Sequence, residues 1–126
     1  MKYTPEEKAR IEMLLKLFGY YIEKNKHFEV VYSSKLGFIS FILHNEKIIE
    51  HKRLEDADEL LDNLFFEILS DVRDLHLGER ENSWGASLAE VDETRRRIES
   101  FLLQIDNPKE LAYCMNALNN FLSVRK

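Results

Sequence analysis

The sequence predicts a single α+β domain: one helix, a three-stranded antiparallel β-meander, then three helices, in the order α-β-β-β-α-α-α, with the helices packed mainly on one face of the sheet. Three observations predict it. Apolar residues recur at helical spacing up to Ile22, the period falls to two between His27 and Arg53, and helical spacing returns after Asp56. No linker or repeat interrupts the 126 residues, so residues 1–126 read as one domain, long enough to bury a core without staples.

The first helix is announced by Thr4 as N-cap, Pro5 at the first helical position and Glu7 completing a capping box. Ile11, Leu14, Leu15, Phe18 and Ile22 form its inward stripe, while Met13, Leu17 and Tyr20 lie roughly opposite. A helix apolar on two sides is either central or part of an interface.

Strands follow at Phe28–Ser33, Phe38–His44 and Lys47–Arg53. They are joined by the turn Ser34-Lys35-Leu36-Gly37 and the two-residue hairpin Asn45-Glu46. A four-residue first turn sets Tyr32 against Ile39, Val30 against Phe41 and Phe28 against Leu43, and the second turn sets Leu43 against Ile48. All seven then share one face. The other face carries Val31, Phe38, Ile42 and Ile49 among polar residues, and is too apolar for plain solvent surface.

The second helix opens on Asp56 with Glu59 as box partner and presents Leu61, Leu64, Phe65, Ile68, Val72 and Leu75, until Gly78 stops it near Leu77. The third starts at Ser87 with Glu90 at the box position, and Leu88, Val91, Ile98, Phe101, Leu102 and Ile105 face inward. Asn107, Pro108 and Glu110 open the fourth, whose core side is Leu111, Cys114, Met115, Leu118, Phe121 and Leu122. The short link makes these last two an antiparallel hairpin.

Composition narrows the function. One cysteine, Cys114, allows no internal disulfide and no cysteine-based zinc site, and its apolar setting predicts a buried, inert thiol. The start Met1–Glu7 lacks the apolar stretch of a secretory leader, and no run approaches the roughly 20 residues of a membrane span. A cytoplasmic protein is expected. The net charge of −5 is uneven: residues 1–54 carry +3, residues 79–126 carry −1, and residues 55–78 carry −7.

That acidity places Glu67, Asp71 and Asp74 along one edge of the second helix. Such an edge holds Mg²⁺ or Mn²⁺ for phosphoester or pyrophosphate hydrolysis only if acids from another helix face it. Glu90, Asp92 and Glu93 point three ways around the third helix and do not supply them, so a solvated face is the plainer reading. His44 and His51 share a sheet face but stand roughly 13 Å apart, with His51 opposite Ser40. Metal-bound imidazoles lie at about 2 Å from the ion, so the pair cannot share one. His27 and His76 have no evident partner.

Arg95, Arg96 and Arg97 splay around their helix among acids, so nucleic acid is an unpromising partner. Trp84 reads as an anchor for the long 78–86 loop. Gly19, Gly37, Gly78 and Gly85 are too scattered for a phosphate loop, and no catalytic signature or cofactor motif occurs.

What stands out is apolar surplus. Phe66 and Leu77 on the back of the second helix, Met13, Leu17 and Tyr20 on the first, and Val31, Phe38, Ile42 and Ile49 on the sheet form the candidate interaction surface. Tyr113, Ala117 and Val124 add to it on the last helix. A non-catalytic interaction module is therefore expected, partnered by another protein or by a second copy as a homodimer. An acidic inhibitor masking a basic target is one form of it. A metal-dependent hydrolase and a nucleic-acid-associated regulator are the alternatives.

Overall fold

The computed structural model describes residues 3–75 and 87–124. Its order is α1 (Pro5–Leu17), α2 (Gly19–Lys24), β1 (Phe28–Ser33), β2 (Gly37–His44), β3 (Lys47–Arg53), α3 (Ala57–Leu75), α4 (Leu88–Leu102) and α5 (Pro108–Ser123). The α+β class and the order of helices and strands are as expected. The chain divides into two compact units, residues 1–60 and 61–126.

In the first unit the expected first helix is two. Phe18, at φ −95° and ψ 10°, leaves helical geometry while its N–H still bonds to Leu14, and Gly19 restarts the turn. Ile11, Leu14 and Phe18 are fully buried, whereas Leu15 and Ile22, expected beside them, are only half-buried. Thr4 caps α1 by accepting from the Glu7 N–H at 3.0 Å. The Glu7 carboxylate, expected to complete that box, instead accepts from the N–H of Ala57 at the start of α3. An orphan donor of another helix is satisfied in place of its own.

The sheet has the order β1-β2-β3, all antiparallel. Its first register differs from expectation by one residue: Phe28 pairs with Ile42, Val30 with Ser40 and Tyr32 with Phe38. The turn is one residue shorter than assumed. Gly37 already pairs with Ser33 while holding φ +84°, and the Ser33 hydroxyl accepts from Lys35 and Leu36 to tighten the loop. A slip of one residue turns every side chain over. Phe38 and Ile42 therefore share a face with buried Phe28, and Phe38 is 3% exposed. Ile39 and Phe41 go to the opposite face with Val31.

The Asn45-Glu46 turn is as expected, both residues at positive φ, with Leu43 opposite Ile48. A bulge then intervenes. Ile42 pairs with Glu50, so Ile49 is left without a partner across the strand pair, and His51 faces Phe41 instead of Ser40.

In the second unit, α4 carries a complete capping box: Ser87 accepts from the Glu90 N–H and Glu90 accepts from the Ser87 N–H. Glu90 is fully buried, and Thr94 one turn on donates to its carbonyl at 2.7 Å. Asn107 caps α5 by accepting from Lys109 and Glu110. Phe65 of α3 meets Phe121 of α5 edge-on at 5.6 Å, and Cys114 is buried as expected. The expected helical stripes overreach at their ends, since Leu75 and Leu88 are both exposed.

Candidate functional site

The two edges of the sheet are chemically different. In an antiparallel pair a residue's N–H and C=O point to the same side, and successive residues alternate sides. The Leu43 N–H bonds to the His27 carbonyl at 2.8 Å, so residues 27, 29, 31 and 33 are the ones that bond toward β2. Phe28, Val30 and Tyr32 therefore direct their backbone groups outward. The Phe28 N–H is accepted by the Asn25 side chain at 3.0 Å. The outward groups of Val30 and Tyr32 have no hydrogen-bond partner among the described residues.

Asn25 holds this corner together. Its Oδ1 accepts from His27 and Phe28 at 2.7 and 3.0 Å, and its Nδ2 donates to the Tyr21 hydroxyl at 3.2 Å. Such an Asx turn lets the chain pass from α2 into β1 with its donors satisfied. Between these two elements runs a groove of about 490 Å³, walled by Leu15, Gly19, Ile22, Phe28, Val30 and Leu43. Glu23 and Glu29 are its charged lining residues, and Asn25 is the remaining polar one. At Gly19 an added Cβ meets nothing within 4 Å.

The opposite edge, β3, is exposed along its whole length. It carries Lys47, Glu50, Lys52 and Arg53, and the bulge interrupts its pairing. Charges and bulges of this kind blunt an edge against pairing with another strand. β1 has Glu29 alone as a charged residue, no proline, and no register shift. It is the unguarded edge.

The residues singled out for apolar surplus fall into several settings. Val31 and Ile49 are exposed on the sheet, at 45% and 65%, and Ile48 joins them at 57%. Tyr20 and Phe66 are exposed on their helices, with the Lys24 ammonium 5.6 Å from the Tyr20 ring. Met13, Leu17 and Ile42 are half-buried and Phe38 is core, so an outer patch containing Phe38 is corrected by the register. On the last helix Tyr113 and Ala117 are half-buried and Val124 is exposed. Leu77, His76 and Trp84 lie outside the described residues.

Glu67 and Asp71 are half-buried on α3 and Asp74 is exposed. Among the described residues no group of three or more His, Cys, Asp or Glu is placed to hold a metal ion. His51 stacks near Phe41, ring centroids 6.4 Å apart, and His27 Nδ1 lies 3.4 Å from the Leu43 carbonyl. Arg95 bonds to Asn119 of α5 at 2.8 Å, and Arg97 pairs with Glu93 within α4. No described helix is long and apolar enough to cross a membrane.

Two structural residues escape a reading by periodicity. Tyr3 precedes the first helical stripe, and Asn25 falls between two patterns. Only Asn25 carries a local signal, an Asx residue immediately before a strand. Comparison with protein-family models, with curated proteins and with solved structures gives no match.

Proposed function

We propose that this chain is a non-catalytic protein-interaction module that meets its partner through the sheet of the first unit. The observation that carries this reading is the group of exposed apolar side chains on one small sheet: Val31, Ile48 and Ile49. Single exposed apolar residues are ordinary, but three on a small sheet whose β1 edge is also unguarded favour association. The acidic edge of α3 supports a hydrolase less well, because the facing ligand set that such chemistry needs is not found among the described residues.

The test is site-specific photo-crosslinking in the native cell. A crosslinking amino acid at Val31 or Ile49 is expected to trap a discrete protein, either another polypeptide or a second copy. The same probe at exposed Glu12 or Asp106 is expected to trap none. Equal, diffuse labelling from all four positions would count against the proposal.

A further inference from the structure

We propose that the outer edge of β1 receives an extended peptide bearing a basic residue, which adds to the sheet as a fourth strand in the groove against α2. This deepens the interaction reading and rests on it. The outward N–H and C=O of Val30 and Tyr32 are spaced two residues apart along an extended backbone, and a second extended backbone matches that spacing. A helix consumes its own backbone groups and offers no such row. Main-chain bonding of this kind supplies affinity, and side pockets supply selectivity.

The groove supplies both walls of such a site. Leu15, Ile22 and Leu43 offer an apolar wall for a side chain of the added strand. Glu23 and Glu29 place negative charge on the lining with no lysine or arginine among the groove residues, which selects a Lys or Arg in the ligand. Gly19 leaves space where any larger residue would intrude. The β3 edge differs: its charged side chains and the bulge oppose strand addition.

The test uses the full chain and a phage-displayed library of random dodecapeptides, with enriched sequences synthesised and titrated by fluorescence polarisation. Enriched peptides are expected to alternate apolar residues around a Lys or Arg, and to slow hydrogen exchange at the Val30 and Tyr32 amides. Val30→Pro removes an N–H that points away from β2, so the ladder survives, and it is expected to weaken binding roughly tenfold. Gly19→Leu fills the groove from a helical position with open space and is expected to do at least as much, with unchanged thermal stability; it serves if Val30→Pro fails to fold. Glu29→Lys is expected to weaken basic peptides selectively.

Absence of enrichment would overturn the proposal. So would peptides whose binding survives both Val30→Pro and Gly19→Leu and whose protection falls on β3; that result leaves the interaction reading standing with its site elsewhere. Concentration-dependent self-association that protects Val30 without peptide would put a second copy there and likewise overturn the peptide as occupant. The interaction reading itself fails separately, through the crosslinking experiment.

Discussion

The Tyr3 hydroxyl donates to the Leu54 carbonyl at 2.7 Å across 51 residues of chain, tying the segment before α1 to the segment after β3. The same oxygen accepts from the Phe38 N–H at 3.1 Å, and the Tyr3 and Phe38 ring centroids lie 5.6 Å apart. Tyr3→Phe keeps the ring and strands a carbonyl and an amide that are partly shielded from water. A loss of about 1–2 kcal/mol is expected, read as a lower urea midpoint at unchanged slope.

Gly37 makes the second claim on Tyr3. At φ +84°, a Cβ on residue 37 would sit 2.8 Å from Tyr3 Cε2. Gly37→Ala therefore meets both a left-handed backbone, worth about 1–2 kcal/mol, and a steric clash. The steric part should disappear in the Tyr3→Ala background. A double-mutant cycle is expected to show coupling of at least about 1 kcal/mol, and additive losses would contradict the clash.

Asn25 is expected to matter for the groove's geometry and not only for stability. Asn25→Ala leaves the N–H groups of His27 and Phe28 without their acceptor, at a cost of about 1–2 kcal/mol. Asn25→Asp keeps that acceptor and loses the donor to Tyr21, so it should recover most of the stability. Thermal melts of the two variants check the order.

Ile49→Asp and Val31→Asp should behave in the opposite way. Both side chains are exposed, so stability is expected to stay within about 0.5 kcal/mol of the parent. Crosslinking from Ile48, the residue next to Ile49, should be lost in Ile49→Asp. A large fall in melting temperature would instead make these residues structural.

Much of the fold is legible in the residues, and the failures have local causes. The Asn45-Glu46 hairpin and the Ser87–Glu90 capping box are set by side chains within a few residues, and both form as their chemistry dictates. The β1–β2 register is not set so locally. Phe38 and Ile42 on one side of β2, and Ile39 and Phe41 on the other, make both faces apolar, so alternation cannot choose between them. The choice lies in the backbone of Gly37. The bulge at Ile49 and the engagement of Glu7 with Ala57 depend on tertiary placement and leave no periodic trace. Of the candidate surface, Val31 and Ile49 are exposed on the sheet, while Phe38 goes inside with the shifted register. The groove was invisible because the apolar stripe runs unbroken through the helix break at Phe18, and the Asx turn at Asn25 carries no apolar pattern.

The most direct measurement is residue-resolved amide hydrogen exchange along β1 in the isolated chain. An open edge requires alternation: Glu29 and Val31, bonded toward β2, are expected to exchange slowly, and Val30 and Tyr32, directed outward, are expected to exchange rapidly. Slow exchange at all four amides would show the edge already covered and would contradict a sheet that waits for a partner.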